Sequence, residues 1–551
     1  MSSKKEDRKL NKSEQQQQQQ QNPKETNQLQ TSKAKKKQRR LRQEQQIEKL
    51  TSKIPYGISA TLNLHKAIEI TKEKVKRIAK ECRRLNIKFL DREFDVSELD
   101  SCLYNQHSEN HSAINDSKRV NKLFKEPKFY ADGVSPGDVQ QGWFGDCWFL
   151  SAISTCTNIP GIIETICVER DEQVGDGDWV STVVDSQLFV KTDIEKNTSD
   201  IAVAKCKDPN ETWLSLLEKA YAKIHGDYES IEGGFVSEAL EDLTGGVASS
   251  FETSEILDID RLWKEDFLNV NKSVLLGCAR SGLGTVSGLV DGHAYSILGS
   301  AEYQGTRLVK VRNPWGNTEW TGAWSDGSEL WTPESMAALN HRFGDDGIFW
   351  ISYEDFLDYF NLYYRCRIFD SRWNVYSTWI NYNVRPKSDG KFILNLSKKA
   401  DVIIVLQQPD SRYFHKGPAY LYQLAFRVFE KGSSTYLIRS PYTKTFYPWG
   451  RNINLEIELE AGTYEIIPRI NAIPNPDVKN DKKSDDTTKD ETNTDETKTE
   501  ETQTEEYGNQ NSESTATTTQ PTIESEFILR VMVSVLKHMK DHFLFLKIKK
   551  S

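Results

Sequence analysis

One cysteine of the sequence stands where a nucleophile would be expected. Cys147 lies in the segment QGWFGDCWFLSA, in which a glycine-rich turn leads directly into an apolar helix. The first turn of a helix has unpaired N–H groups and a partial positive charge, and both favour a thiolate. Because the thiolate is the reactive form, this placement predicts nucleophilic chemistry at Cys147. The alternative is a small buried hydrophobic residue, which is what most lone cysteines are.

A histidine and an asparagine supply the groups that a thiol nucleophile requires. His293 follows a turn of small residues in the segment GLVDGHAYSIL, at the start of an apolar strand. Asn313 comes directly after another strand pattern, in the segment RNPWG. An asparagine there can accept the imidazole N–H and hold the ring towards the thiol, as in Cys–His–Asn hydrolases. By itself His293 is more often structural, but the order Cys, His, Asn, each at a turn beside an apolar element, predicts an acyl-transfer site.

Length and composition exclude several classes of protein. The chain has 551 residues and a mass of 63.2 kDa, which allows about three or four domains. No apolar run approaches the ~18 residues of a transmembrane helix, and the charged start MSSKKEDRKL is unlike a signal peptide. Eight dilute cysteines without a C-x-x-C pair argue against a disulfide scaffold or a zinc site. We therefore expect free thiols and a cytoplasmic location.

The two ends of the chain carry opposite charge. Residues 1–50 contain 14 Lys and Arg against 6 Asp and Glu, a net charge of +8, and include seven consecutive glutamines. Residues 476–526 contain 5 Lys and Arg against 15 Asp and Glu, a net charge of -10. Both segments have too few apolar residues to fold. The basic block at 33–42 is a solvated tail or a nuclear address, and without aromatic residues among its charges we expect no nucleic-acid binding.

Hydrophobic periodicity divides the chain into helical, mixed and β-rich regions. Because helical and strand patterns both occur, we predict an α+β fold class. The segment WLSLLEKAYAKI at 213–224 predicts a buried helix, and short β runs separated by polar, Gly or Pro breaks predict a β-sandwich of about eight strands. For the last segment, a strand closing the sandwich is slightly favoured over a helix that docks on a membrane surface or a partner. The predicted regions are a disordered Gln-rich, basic tail at 1–45, a helical lead-in and loop at 46–120, a globular core at 121–369 with halves at roughly 121–250 and 251–369, a β-sandwich at 370–471, an acidic disordered segment at 472–526, and an apolar, basic strand or helix at 527–551.

Six segments, taken in order, resemble the papain-like core of the calpains, a family of calcium-dependent cysteine proteases. They are QGWFGDCWFLSA, WLSLLEKAYAKIHGDYESIEGG, EDLTGGV, GLVDGHAYSIL, VRNPWGNTEWTGAWSD and DDGIFWISYEDF, within residues 121–369. Six blocks in sequence are far more specific than any one motif. The resemblance implies a papain-like protease core of two subdomains, followed by a C2-like sandwich that rests mostly on its position in the chain.

The resemblance assigns a role to each candidate catalytic residue. It implies that Cys147 is the nucleophile, His293 the general acid and base, and Asn313 the residue that orients the imidazole. Gln141 matches the side chain that binds the oxyanion together with the backbone N–H of Cys147, and each such donor contributes roughly 10²–10³ in rate.

The resemblance also implies a substrate cleft between the two halves of the core. Gly234 and Gly292 match glycines whose backbone pairs with an extended substrate, where the lack of a Cβ permits close approach. Trp315 matches the tryptophan that wedges the cleft until calcium binds.

Two calcium sites are implied by the resemblance, one in each half, both built from oxygen ligands. The ligands of the first site would be the carbonyls of Ala131 and Gly133 and the carboxylates of Asp138 and Glu211. The ligands of the second would be the carboxylates of Glu319, Asp326 and Asp346 and the carbonyl of Gly344. The last expected acid of the second site falls on Ile348, so this site should be weaker or absent unless Asp345 substitutes. The alternative for both sets is ordinary surface charge.

Together these features predict an intracellular calcium-dependent cysteine endopeptidase that makes limited cuts in protein substrates. The alternative is a calcium-responsive scaffold or interaction protein with weak or no proteolysis. The sequence has no D-x-[DN]-x-[DN]-G loop, so we expect a non-conventional calpain-like form without an EF-hand domain or an EF-hand small-subunit partner. Peripheral membrane contact through the sandwich stays open.

Overall fold

A computed structural model describes part of the chain, and the statements below concern that part. The predicted tail at 1–45 and nearly all of the acidic segment at 472–526 lie outside it. The described residues are 62–98, 102–103, 114–131, 133–167, 182–193, 195–370, 372–383, 391–410, 412, 420–441, 450–475, 526–536 and 547–549.

Helices lie in the first two thirds of the chain. The predicted helix at 213–224 is present as Trp213–His225, and an amphipathic helix, Leu62–Leu85, precedes the core. None of the helices in the described ranges is long and apolar enough to cross a membrane. The bounds are α1 Leu62–Leu85, α2 Val120–Leu123, α3 Cys147–Cys156, α4 Ile162–Ile166, α5 Trp213–His225, α6 Val236–Thr244, α7 Ile259–Glu265, α8 Pro333–Ala338 and α9 Tyr353–Tyr359.

The strands form four antiparallel sheets, ordered β1-β2-β3, β4-β9-β5-β6-β7-β8, β10-β17-β12-β15 and β14-β13-β16-β11-β18. The first two sheets belong to the helix-containing core and the last two to the C-terminal part. Their bounds are β1 Asp116–Arg119, β2 Gln187–Asp193, β3 Thr198–Ile201, β4 Val247–Glu252, β5 Val274–Arg280, β6 His293–Tyr303, β7 Thr306–Arg312, β8 Ile348–Ser352, β9 Leu362–Arg367, β10 Trp373–Asn383, β11 Lys391–Leu396, β12 Ala400–Gln407, β13 Tyr420–Glu430, β14 Ile438–Arg439, β15 Asn452–Leu459, β16 Gly462–Pro474, β17 Glu526–Leu536 and β18 Lys547–Lys549.

Helix α3 is the buried centre of the first half of the core. Every side chain after Cys147 in this helix is buried, and the helix packs against α6 and β6. Its small hydroxyl residues fix its register on β6: Ser151 Oγ donates to the Ala294 carbonyl at 3.0 Å, and Ser296 Oγ donates to the Ser151 carbonyl at 2.8 Å. These paired bonds satisfy polar groups that would otherwise be costly to bury, and they align the start of α3 with the start of β6.

The packed core begins earlier in the chain than residue 121. Phe94, Val96, Leu103 and Ile114 are buried in the same apolar cluster as α3. The predicted boundary near 121 is therefore wrong, and much of the predicted lead-in and loop at 46–120 belongs to the core. Beyond helix α1, the apolar residues from Phe94 to Ile114 are scattered among polar and charged ones, so this stretch has no hydrophobic period that sequence analysis could detect.

The C-terminal part folds as two sheets that share one apolar core. Val402 and Ile404 of one sheet lie in the same buried cluster as Leu424 and Phe426 of the other. The region predicted at 370–471 contributes seven strands, β10 to β16. The segment predicted as strand or helix at 527–551 contributes two described strands, β17 between β10 and β12, and β18 beside β11.

Buried charges join this two-sheet unit to the protease-like core. Arg451 lies at the start of β15 and is buried, with Nη2 at 2.5 Å from Asp242 Oδ1 and 3.2 Å from Glu241 Oε2. Its Nη1 lies 3.2 Å from Asp410 Oδ2. This one guanidinium therefore pairs with carboxylates from two parts of the chain, and Asp410 is paired with Arg412 as well.

We predict that Arg451→Met destabilises the protein by about 3–5 kcal/mol, because it leaves buried carboxylates uncompensated. The matched control is Arg261→Ala, which removes an exposed pair with Glu265 at 2.8 Å and should leave the stability nearly unchanged. Urea denaturation gives both free energies of unfolding. Similar losses in the two variants would contradict the role of Arg451.

Candidate active site

Cys147 is the first residue of α3 and faces the start of β6. Its thiol lies near the backbone N–H groups of Ala294 and of the first helical turn. His293, the neighbour of Ala294, opens β6 and is 5% exposed. The structure thus brings the predicted nucleophile and the predicted base to the same edge of the α3–β6 contact.

Burial determines the charge state of both residues. Burial raises the pKa of the Cys147 thiol to about 11, although the N–H groups of Ala294 and of the helix start oppose this. Burial also lowers the pKa of His293 to about 4, against the opposing effect of its hydrogen bond to Asn313. At neutral pH the structure therefore holds a neutral thiol and a neutral imidazole, rather than a preformed ion pair.

Asn313 fixes the orientation of the imidazole. Its Oδ1 lies 2.8 Å from His293 Nε2 and also accepts the backbone N–H of Trp315 at 3.0 Å. Its Nδ2 donates to the Thr318 carbonyl at 2.9 Å, which sets which side of the amide faces the ring. Nε2 is therefore the protonated nitrogen, and Nδ1 keeps the lone pair. The indole of Trp315, 37% exposed, lies 4.6 Å from the imidazole between ring centroids and covers one side of it.

Gln141 lies where the two halves of the core meet. Its backbone N–H donates to the Pro314 carbonyl at 3.0 Å, and its side-chain Nε2 donates to the Phe144 carbonyl at 2.7 Å. Nearby, the buried Arg312 reaches from β7 to the Val139 carbonyl, with Nη2 at 2.6 Å. These contacts hold the Gln141 turn against the loop that carries Asn313. One N–H of the Gln141 amide is not used by the bond to Phe144.

The two predicted cleft glycines have different local reasons to be glycine. Gly292, directly before His293, has a φ of +66°, and nothing lies where a Cβ would project. Gly234 is tightly packed instead, because a Cβ there would lie 2.6 Å from the Trp148 ring and 2.5 Å from Arg412 Nη2. Close packing against Trp148, which follows Cys147, is therefore a reason for glycine at 234 that sequence analysis did not identify.

Arg412 extends the site into the two-sheet unit. Its guanidinium lies over the Trp148 ring at 4.5 Å from the centroid, and its Nη2 lies 2.7 Å from Glu238 Oε2 on α6. A second ion pair joins it to Asp410 at 2.9 Å. No local sequence signal indicated this contact, since Arg412 and Trp148 are far apart in the chain.

The residues predicted for the first calcium site lie together in the first half. Glu211 Oε1 accepts the backbone N–H of Ala131 at 2.9 Å, and Gly133 follows two residues later with a φ of +111°. Burial raises the pKa of the Cys206 thiol, and the charges of Glu211 and Asp138, which both face this thiol, raise it further. Two carboxylates and the backbone carbonyls of a neighbouring loop are oxygen donors of the kind that calcium binds.

The residues predicted for the second calcium site are neighbours, although the carboxylate oxygens of Glu319, Asp326 and Asp346 do not all lie within 4.8 Å of one another. Glu319 Oε1 accepts the backbone N–H of Asp346 at 3.2 Å, and Asp326 Oδ2 accepts that of Gly344 at 2.8 Å. Burial raises the pKa of Glu319 to about 7, and the negative charges of Asp326 and Asp346 add to the effect. Carboxylates that repel one another in this way are a donor set that a divalent cation would stabilise.

Three residues near the predicted second calcium site distinguish it from the predicted first site. Asp326 Oδ1 lies 2.7 Å from Nε2 of the buried His341, so a ring nitrogen already uses one carboxylate oxygen. Ile348 opens β8, and its backbone N–H donates to Asp346 Oδ1 at 3.0 Å. Asp345 is exposed. Sequence analysis did not identify His341, which lies 15 residues from Asp326 and outside any motif.

A pair of buried acids beside the nucleophile was also missed. Asp146 and Glu218 are both fully buried and lie close enough to share a hydrogen bond. The available signal was an acid inside the apolar segment WFGDCWFL, because a charged residue among buried ones requires a partner.

Comparison with known proteins gives a family for this arrangement. The sequence pattern described as calpain family cysteine protease matches residues 89–367, about half of the chain. The chain is 38% identical over 283 residues to calpain-type cysteine protease ADL1 of Oryza sativa subsp. japonica, covering 47% of this chain and 13% of that protein. It is 35% identical over 323 residues to calpain-type cysteine protease DEK1 of Arabidopsis thaliana, covering 54% and 15%. It is 29% identical over 459 residues to calpain-9 of Homo sapiens, covering 71% and 64%.

The half of the chain around Cys147 thus has the sequence of a cysteine protease. The chain belongs to the calpain family, as the resemblance of its six segments predicted. It spans only about one seventh of the length of the plant relatives and less than two thirds of calpain-9.

We predict that iodoacetamide alkylates Cys147 slowly at neutral pH when calcium is absent. Because the thiol is neutral below its pKa of about 11, the rate should rise about tenfold per pH unit towards that value. Peptide mapping by mass spectrometry identifies the labelled cysteine, and Cys147→Ser is the control. A rate that is already constant below neutral pH would contradict the neutral pair, since it would reveal a preformed thiolate and imidazolium.

Proposed function

We propose that this chain is a calcium-activated cysteine endopeptidase that makes limited cuts in protein substrates. One observation carries the proposal: His293 opens β6 beside the helix start that carries Cys147, and its ring is held by Asn313, which follows β7. A nucleophile, a base and a residue that orients the base are the parts that acyl transfer through a thiol requires.

The first steps move one proton and form one bond. The orientation set by Asn313 leaves Nδ1 of His293 free to take the proton of the Cys147 thiol. The thiolate then attacks the carbonyl carbon of the scissile peptide, and the carbonyl electrons move onto its oxygen. In our proposal, the backbone N–H of Cys147 and the second N–H of the Gln141 amide stabilise this oxyanion.

The remaining steps return the enzyme to its starting state. The imidazolium of His293 gives its proton to the leaving amine as the C–N bond breaks, and an acyl-enzyme forms on Cys147 Sγ. His293 then takes a proton from a water molecule, whose oxygen attacks the thioester carbonyl. The C–S bond breaks, the new carboxylic acid leaves, and the proton on His293 returns to the thiol.

Two groups of oxygen ligands would hold calcium in this proposal. The first consists of Ala131, Gly133, Asp138 and Glu211, and the second of Glu319, Asp326, Gly344 and Asp346. Bound calcium supplies positive charge that offsets these carboxylates. We expect the first group to bind more tightly, because His341 and Ile348 reduce the donor set of the second.

The proposal also covers the fold of the core and the role of the two-sheet unit. We propose that the core is papain-like and that the two-sheet unit is a C2-like sandwich closed by β17. The shared apolar core of its sheets supports this assignment. We propose protein substrates as partners, an intracellular location, and contact of the sandwich with a membrane surface as a further role.

The proposed catalysis predicts that Cys147→Ser and His293→Ala each lower casein hydrolysis by at least about 10³-fold. Asn313→Ala should retain more activity, because it removes orientation rather than the nucleophile or the base. Rates are measured on the purified full chain with saturating calcium. Undiminished cleavage by Cys147→Ser would exclude the mechanism, and no cleavage by the wild type with unlabelled Cys147 would favour the scaffold alternative.

The proposed calcium control predicts that Asp138→Asn raises the calcium concentration for half-maximal cleavage by about tenfold or more, the scale seen for lost metal-site groups. The matched control is Asp358→Asn, which removes an exposed acid of α9 that belongs to neither ligand group. Calorimetric calcium titration should show the same order of affinities. Identical calcium dependence in both variants would contradict the first site.

A further inference from the structure

Two carboxyl groups lie side by side directly behind the nucleophile. Asp146 precedes Cys147, and Glu218 lies on α5; both side chains are 0% exposed. The two carboxyls are within hydrogen-bonding reach of each other. Asp146 stands at the N-cap of α3 but does not use its side chain to cap the helix. Only its backbone carbonyl takes part in the start of the helix, by accepting the N–H groups of Phe149 and Leu150.

The hydrogen-bond donors around the pair are unequally distributed. Both oxygens of Glu218 lie 3.1 Å from the backbone N of Ala204. No N–H or O–H group of the described residues donates to either oxygen of Asp146. A donor to Asp146 can therefore come from Glu218 itself, if Glu218 carries a proton.

Two adjacent buried carboxylates cannot both be ionised, so the pair shares a proton. Burial is the main cause that raises both pKa values: that of Asp146 rises to about 7, and that of Glu218 rises well above its usual range. The negative charge is more stable on Asp146, because this residue lies at the positive end of α3.

In the described part of the chain, the groups that face the pair include no cation that would compensate this charge. Glu232, on the neighbouring loop, accepts the Gly145 N–H at 3.3 Å and adds negative charge near Asp146. Tyr228 is buried against the pair, with its ring 4.5 Å from that of Phe144. The third neighbour is the Cys147 thiol, whose pKa the Asp146 charge raises in addition to the larger effect of burial.

We infer that Asp146 and Glu218 are positioning residues for the nucleophile. Protonated Glu218 donates its O–H to the Asp146 carboxylate, and the charge held there opposes ionisation of the Cys147 thiol until His293 accepts its proton. This inference rests on the proposed function in taking Cys147 as the nucleophile. The pair would keep the thiol unreactive while the base is not yet in position.

The test is the rate at which iodoacetamide alkylates Cys147 in the full chain at neutral pH without calcium. Asp146→Asn removes the charge next to the thiol, so the rate should rise about tenfold, as for one unit of thiol pKa. Glu218→Gln is the matched variant. Its amide can donate to Asp146 and still accept from Ala204, so its rate should stay within about twofold of the wild type.

Two results would overturn the inference: no increase in Asp146→Asn, or an increase in Glu218→Gln equal to that in Asp146→Asn. Alkylation needs neither substrate nor calcium, so the rates report on the pair even if casein cleavage does not depend on Cys147. Failure of the proposed function and failure of this inference are therefore distinguishable.

A second measurement covers the case in which Asp146→Asn does not fold. Infrared spectroscopy of the wild type should show the C=O band of a protonated carboxyl that persists above neutral pH. Glu218→Gln should lack this band while keeping its alkylation rate. A wild-type protein without a persistent band would overturn the shared proton.

Discussion

The packing of α3 against β6 is the contact on which the rest of the site depends. The two hydrogen bonds between Ser151, Ala294 and Ser296 fix the register of the helix on the strand. Because α3 begins at Cys147 and β6 begins at His293, this register brings the thiol and the imidazole to one edge. The same burial that fixes them keeps both neutral. Reactivity then requires a change in their surroundings, which suits an enzyme that is controlled by a second signal.

Charged residues contact the first turn of α3 from two sides. Behind it lie the Asp146 and Glu218 carboxyls, which have no cationic partner among the described residues. On the side of the two-sheet unit, Arg412 covers the Trp148 ring and pairs with Glu238. Asp146 and Trp148, which flank Cys147, thus contact different parts of the fold. A displacement of either part would therefore change the surroundings of Cys147.

The local features of the site could be predicted from the sequence. Cys147, His293 and Asn313 each stand where a turn meets an apolar element, and the structure has a helix or strand boundary at each. Helix α5 was equally clear, since its apolar residues recur at helical spacing through Trp213–His225. Such features depend on residues that are close in sequence, and for that reason they can be predicted from the sequence.

The features that were missed depend on residues far apart in the chain. The contacts of Asp146 with Glu218, and of Arg412 with Trp148, join segments that no periodic pattern connects. The early start of the core was missed because isolated apolar residues such as Phe94 and Val96 give no period. Strand β17 was left between two alternatives, because its pairing with β10 and β12 follows a long acidic segment. Tertiary packing, rather than local propensity, decides all of these.

The most direct test of the account is covalent trapping with an extended peptide that ends in a chloromethyl ketone. A thiolate in a formed cleft displaces chloride from the inhibitor, and mass spectrometry of the digested protein locates the new bond. The account predicts a single adduct on Cys147 that forms rapidly with calcium and slowly without it. An adduct on another cysteine, or equal labelling of Cys147 in the His293→Ala variant, would contradict a nucleophile that His293 activates.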